Sequence, residues 1–234
     1  MDVRFLERPN DPKLAYEFTC HETSNFNVLF LSGFRSDMSG SKAQALCDFA
    51  HEASFNFMRF DYRGHGLSEG AFEDACISDW LKDASDITTI LPDKPTFLIG
   101  SSMGGYIALL LALRGQLDLK GLLGIAAAPD FTERLMWSAF NHEQKRQLTT
   151  NGFLEIPTEY DPEPYKITKK LIDDGRKHLL LDRKINIGCP IHLIQGERDE
   201  DVPPNWATKI SGTLQDQDVL VTFVKDGDHR LSRP

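Results

Sequence analysis

The sequence predicts an α/β fold: a mostly parallel, twisted sheet flanked by helices, with a small helical lid inserted at about residues 131–185. Three observations carry this reading. Apolar runs of strand length alternate with stretches of helical spacing as far as Ala128, the rhythm of a parallel sheet with helices on both faces. The alternation breaks between residues 131 and 185 and resumes at Ile191. Finally, the run Pro95 to Ile99 passes through Gly100-Ser101-Ser102-Met103-Gly104-Gly105 into the helical run Tyr106 to Leu113. That is a strand, a sharp turn and a helix.

In chain order, Val3 to Leu6 and Leu14 to Thr19 flank Pro9-Asn10-Asp11-Pro12, a turn cluster that predicts an antiparallel hairpin. Val28 to Leu31 is continuously apolar, as a strand buried on both faces is. Lys42 to Ala50 has helical spacing through Ala45, Leu46, Phe49 and Ala50; Phe55 to Tyr62 is a strand ending at Arg63-Gly64-His65-Gly66. Ile77 to Leu91 is helical, with Trp80, Leu81, Ala84 and Ile87 on one face, and Leu122 to Ala128 is a strand closed by Pro129-Asp130. The lid segment reads as helical pieces at Phe131 to Phe140, His142 to Leu148 and Tyr165 to Leu180, with turns at Asn151-Gly152 and Pro162 to Pro164 and no strand between them. It is short for an independent core and is expected to pack on the sheet. A strand at Ile191 to Gln195, a helix at Pro203 to Ile210 and a strand at Val219 to Val224 complete one domain over residues 1–234.

Bulk properties narrow the function. A net charge of -9 argues against nucleic acid or an anionic membrane surface as a partner. Cys20, Cys47, Cys76 and Cys189 are widely spaced with no C-x-x-C, which reads as reduced thiols in an intracellular protein. The opening MDVRFLERPNDP has no apolar signal region, and no apolar stretch reaches the length of a membrane span. No grouping of His, Cys, Asp and Glu has metal-ligand spacing, so neither metal nor cofactor is expected.

The chemistry centres on Ser102. A G-x-S-x-G pattern at a strand-to-helix turn is the nucleophile elbow of α/β-hydrolases, and only Ser102 has glycine at both flanking positions, Gly100 and Gly104. A side chain at either place collides with the strand or helix. The adjoining helix N-terminus favours negative charge. The competing reading is a plain glycine-rich turn. It weakens if the rest of the chain supplies a base, an acid and an oxyanion site. In this fold the order along the chain is serine, acid, histidine. His192 lies inside an apolar strand, and His142 and His178 stand among charged lid residues; His229 follows a strand and a Gly227-Asp228 turn, where a loop histidine can reach the carboxyl edge of the sheet. Of Glu197, Asp199, Glu200 and Asp201, Asp199 is the preferred partner of the imidazole, because Asp201 stands where it can cap a helix begun by Pro203. The expected oxyanion donors are the backbone N–H groups of Met103 and Phe34. Asp61 and His65 are read as structural, pinning the loop at Arg63 to Gly66. In the lid, Met136, Trp137 and Phe140, with Leu135, are either core or the wall of an acyl-binding groove.

With these residues laid out, the chain resembles serine α/β-hydrolases over nearly its whole length. Within them it is similar to the abhydrolase group that includes a mitochondrial palmitoyl-protein thioesterase, also described as an acyl-glucuronide esterase, and bacterial relatives. The likeness rests on Ser32-Gly33-Phe34, Ser36 to Ala43, Arg59 to Tyr62, Gly100 to Gly105, Gln195 to Asp199 and Asp228-His229-Arg230. It implies Ser102 as nucleophile, Asp199 as acid, His229 as base, and hydrolysis without a cofactor of an acylated small molecule or acylated protein. A general carboxylesterase, lactonase or peptidase on the same residues stays open, as does a non-catalytic binding protein. The family ordinarily continues into a helix after the histidine, whereas five residues follow it here. No mitochondrial transit segment is evident, so the expected compartment is the cytoplasm.

Overall fold

The structure, a computed structural model, describes residues 2–158 and 164–232. An eight-stranded sheet forms the centre, in the order β1-β2-β4-β3-β5-β6-β9-β10. The hairpin β1 (Arg4–Leu6) and β2 (Leu14–Thr19) is antiparallel and sits at one edge, with β2 antiparallel to β4 (Asn56–Phe60). From β4 onward all pairings are parallel: β3 (Asn27–Leu31), β5 (Thr96–Ser101), β6 (Leu119–Ile125), β9 (Ile191–Gly196) and β10 (Val219–Val224). Every residue of β3 is buried, as its unbroken apolar run predicts, because helices cover both of its faces.

The strand period of two divides the core. Leu29 and Leu31 face α2 (Ile77–Thr88) and α3 (Met103–Ala112), in one cluster with Trp80, Ile87 and Tyr106. Val28 and Phe30 face α1 (Ser41–Ala53), in a second cluster with Ala43, Cys47 and Ala50. The α1 stripe is therefore rotated from the one the sequence suggested. Ala45 and Phe49 point outward, with Phe49 57% exposed, because the small residues Ala43 and Ala50 let the helix approach the sheet closely. Helix α6 begins later than expected, at Asn205–Thr213, and Pro204 rather than Asp201 occupies its cap position.

The segment 131–185 departs furthest from expectation. It contains a π-helical turn at Thr132–Trp137, α4 (His142–Asn151) and α5 (Lys169–Gly175), but also a two-stranded antiparallel hairpin of β7 (Phe153–Ile156) and β8 (Tyr165–Thr168). Alternation at Phe153-Leu154-Glu155-Ile156 and Tyr165-Lys166-Ile167-Thr168 has period two. Leu154 and Ile167 are directly opposed and both buried, so cross-strand burial overrides the helical reading. Thr168 then caps α5, its side chain accepting the Leu171 N–H at 3.1 Å. Within the expected turn at Pro162 to Pro164, Pro162 and Glu163 lie outside the described residues. Leu148, Leu154, Ile167, Leu171 and Leu180 share one buried cluster with the sheet. Among the described residues no helix is long and apolar enough to cross a membrane.

Candidate active site

The site forms where β5 turns into α3. Ser102 stands at φ 54°, ψ -119°, a conformation costing a residue with a side chain about 1–3 kcal/mol. Hydrogen bonds hold it there. Its N–H donates to Ile125 O at 2.9 Å, and its carbonyl accepts the Gly105 and Ala128 N–H groups at 3.0 and 3.1 Å. The flanking glycines are required by close approach. A Cβ on Gly100 would stand 2.6 Å from Gly105 Cα, and one on Gly104 would run into the Leu31 carbonyl.

Two other strand ends bring partners to this serine. The loops after β9 and β10 lie back to back, tied by the Arg198 N–H donating to Gly227 O at 2.9 Å. That contact carries His229 over Ser102, with Nε2 3.0 Å from Ser102 Oγ. On the far side of the ring, Nδ1 lies 2.8 Å from Asp199 Oδ2. The Asp199 side chain is fully buried and its oxygens accept three further N–H groups, from Gln195 Nε2 at 2.8 Å, Asp201 N at 3.0 Å and Val202 N at 2.8 Å. A carboxylate so placed only accepts, so His229 Nδ1 carries the proton and Nε2 faces the serine hydroxyl with a lone pair.

Asp201 contributes its N–H to Asp199 and leaves its side chain exposed at the cleft. Ligand atoms of Asp199, Asp201 and His229 fall within 4.8 Å of one another, a grouping that sequence spacing did not suggest. The N–H donors already on both Asp199 oxygens would have to be displaced by a cation. The loop after β3 brings Gly33 beside the nucleophile, where a Cβ would meet Ser102 Cβ at 3.4 Å. Phe34 follows it and lines the same cleft as Ser102, while Met103 opens α3 directly after the serine. First-turn amides have no partner within their helix.

A cleft of about 600 Å³ opens over the serine. Phe34, Phe131, Leu135, Met136, Ile156 and Tyr165 form its apolar wall, and Arg35, Lys42 and Arg230 its cationic side. Burial and the neighbouring Arg230 charge hold the Lys42 ammonium below the usual lysine range. Trp137 and Phe140, expected as pocket residues, are not in the wall. Phe140 is buried in the core, and Trp137 lies under the cations of Arg176 and Lys145, at 4.7 and 5.4 Å from its ring. Successive residues of a helical turn point in different directions, so Leu135 and Met136 reach the cleft and these two do not. Ile156 and Tyr165 were missed because they belong to the unforeseen hairpin, and Lys42 because only the fold brings it near His229.

Other sequence readings find their places. Asp61 accepts the Met38 N–H at 2.7 Å and the Leu67 N–H at 2.8 Å, tying two loops. His192 is half-buried and pairs with Thr222 Oγ1 at 2.9 Å. His142 is exposed. His178 is not simply solvated: its Nε2 lies 2.7 Å from Ser78 Oγ, in a junction where Asp174 also accepts the Ser78 N–H and joins α5 to α2. Burial pushes the Cys76 thiol up to about 12 and the Cys189 thiol up to about 11, so both are poor nucleophiles.

A mostly parallel sheet with a strained serine at its β5–α3 turn defines an α/β-hydrolase. Comparison with known proteins agrees: the serine aminopeptidase S33 family (Hydrolase_4) matches residues 24–157. The chain belongs to this family and, within it, groups with ABHD10. It is 32% identical to human (Homo sapiens) "Palmitoyl-protein thioesterase ABHD10, mitochondrial" over 98% of this chain and 74% of that protein. The solved mouse protein of the same group matches with a TM-score of 0.90 at 31% identity, over 100% of this chain and 92% of that one. A putative hydrolase from Agrobacterium vitis S4 matches with a TM-score of 0.93 at 39% identity, over 100% and 92% of the two chains. The protein is a hydrolase.

Proposed function

We propose that the protein cleaves acyl thioesters or esters through an acyl-enzyme intermediate, with Ser102 as nucleophile. The observation that carries this reading is the continuous hydrogen-bond path from Ser102 Oγ through His229 to the buried Asp199. Ser102 Oγ attacks the acyl carbonyl while His229 Nε2 takes its proton. Asp199 holds the imidazole and stabilises its charge. The Phe34 and Met103 N–H groups receive the developing oxyanion. His229 then protonates the departing thiolate or alkoxide. It next activates the water that frees the acid and restores Ser102.

The acyl group fits the apolar wall of the cleft, and an acylated small molecule or acylated protein is the substrate class. The name of the ABHD10 relatives supports a long acyl thioester among these. The four cysteines, none of them in a disulfide, suit a reducing interior, and the cytoplasm is the compartment proposed. The test is steady-state hydrolysis of matched acyl chains, from short to long, as thioester and as oxygen ester, with Ser102→Ala as blank. Turnover that rises with chain length in the thioester series supports the reading. Preference for short oxygen esters makes the protein a general carboxylesterase. Turnover unchanged in Ser102→Ala rejects the site.

A further inference from the structure

The loop that carries Phe34 has an anchor outside the serine–histidine–aspartate path. Arg35, the next residue, stands at φ 53°, a left-handed conformation that is uncommon for any residue but glycine. Contacts of both its backbone and its side chain hold it. Its N–H donates to His65 Nε2 at 3.2 Å. Its guanidinium lies over the rings of Phe72 and Tyr165, 4.4 and 4.9 Å from their centroids.

The histidine is itself prepared for this task. His65 Nδ1 lies 3.2 Å from the Arg63 carbonyl oxygen. A carbonyl only accepts, so Nδ1 carries the proton and Nε2 keeps the lone pair that Arg35 uses. The ring is 5% exposed and surrounded by Tyr62, Phe72 and Trp80 at centroid distances of 5.7, 5.2 and 5.4 Å. Burial pushes its pKa down to about 4, so it remains a neutral acceptor near pH 7. Arg63 in turn is fixed by the fully buried Asp83, which accepts its N–H at 2.8 Å and its guanidinium at 2.7 Å.

The loop after β3 presents two successive amides, those of Phe34 and Arg35. The capture of Arg35 N–H by His65 removes that donor and fixes the peptide plane on one side of the Phe34 Cα. Ring contacts of Phe34 with Phe72 and Phe131, at 5.0 and 5.5 Å, fix its side chain. On the other side of the Phe34 N–H, Gly33 packs against the nucleophile, where a Cβ would meet Ser102 Cβ at 3.4 Å.

We propose that His65 is a positioning residue for the oxyanion site: by accepting the Arg35 N–H it aims the Phe34 N–H beside Ser102 without touching substrate. This rests on the reading of Ser102 and Phe34 given above. Losing an oxyanion donor outright costs about 10²–10³-fold in kcat. Misaiming one of two donors is a smaller fault, of about 10- to 100-fold on the same scale.

The test compares wild type, Ser102→Ala, His65→Leu and His65→Gln. Gln can present its carbonyl oxygen close to the place of Nε2; Leu cannot. The readouts are the rate of labelling by a fluorophosphonate probe and kcat and KM for p-nitrophenyl butyrate. Expected are no labelling of Ser102→Ala and about 10- to 100-fold slower labelling of His65→Leu. The kcat of His65→Leu falls equally with KM unchanged, and His65→Gln recovers most of the rate. Labelling of His65→Leu at the wild-type rate overturns the inference and leaves the serine assignment standing. So do equal losses in both His65 variants accompanied by raised KM, which reduce His65 to packing. Labelling that survives in Ser102→Ala rejects the serine assignment and the inference with it. A check on the wild-type protein needs no variant to fold. Nitrogen NMR should find His65 as the Nδ1–H tautomer, with a scalar coupling between its Nε2 and the Arg35 amide. An Nε2–H tautomer, or no coupling, overturns the inference.

Discussion

Asp199→Asn isolates what the buried carboxylate does, because four donors converge on it. Oδ1 accepts two backbone N–H groups, Asp201 and Val202 at 3.0 and 2.8 Å, which cannot turn away. Oδ2 accepts Gln195 Nε2 and His229 Nδ1, both at 2.8 Å. Asparagine has one acceptor, and the fixed amides claim it. Its NH2 then faces the imidazole and offers a proton where one was accepted. His229 meets this by moving its own proton to Nε2. That tautomer has no lone pair for the Ser102 hydroxyl 3.0 Å away. The wrong tautomer costs about 10⁴-fold in kcat, about 5.4 kcal/mol of barrier at 1.36 kcal/mol per decade. The fold suffers less: one buried donor left facing Gln195 costs about 1–3 kcal/mol. For a chain of this size that lowers Tm by a few degrees. The assay is kcat for a p-nitrophenyl ester, with differential scanning calorimetry to show the variant is folded. Asp201→Asn is the control and should keep its rate within about threefold, since the hydrogen bond Asp201 gives Asp199 comes from its backbone N–H, which the substitution leaves in place. A folded Asp199→Asn with more than a tenth of wild-type kcat, or an Asp201→Asn equally impaired, refutes the reasoning.

Ser102→Gly should abolish turnover yet raise Tm, because glycine relieves the strain at φ 54°; the gain is about 1 kcal/mol, and an unchanged or lowered Tm would mean the elbow stores none. Phe140→Ala should destabilise the protein by about 3–5 kcal/mol with KM for acyl substrates unchanged, whereas Met136→Ala should raise KM for long acyl chains with a smaller change in Tm; chemical denaturation and chain-length kinetics separate the two. Stability should fall as pH drops from 6.5 towards about 4, because unfolded His65 gains a proton over that range while folded His65, with its pKa pushed down to about 4, stays neutral. The loss approaches about 3 kcal/mol at the lower end, and a His65→Gln variant should lack that part of the slope in acid unfolding curves.

The elements whose pattern and environment agree were legible without coordinates. The structure repeats the all-apolar β3, the Trp80-Leu81-Ala84-Ile87 face of α2 and, over the competing plain turn, the close-packed glycines around Ser102. Misreadings fell where a local pattern had two solutions. Tyr165-Lys166-Ile167-Thr168 suits a strand or a helix start, and the partner that decides, Phe153–Ile156, stands across an intervening stretch of chain. Trp137 and Phe140 have the composition of a pocket wall, but helix phase alone turns Leu135 and Met136 to the cleft instead. The α1 stripe failed likewise: Phe49 is the more hydrophobic residue, but Ala43 fits the sheet.

The sequence by itself determined the fold class and nominated Ser102, Asp199 and His229, because strand–helix alternation and a glycine-flanked serine are local facts, written in adjacent residues. Only the tertiary structure decided that Asp199 rather than Asp201 meets the imidazole, that Arg35 gives its N–H to His65, and that Lys42 comes to lie beside Arg230. Those are distances between residues 30 to 188 positions apart. No spacing rule reaches that far, because loop directions are set by what the finished core leaves room for.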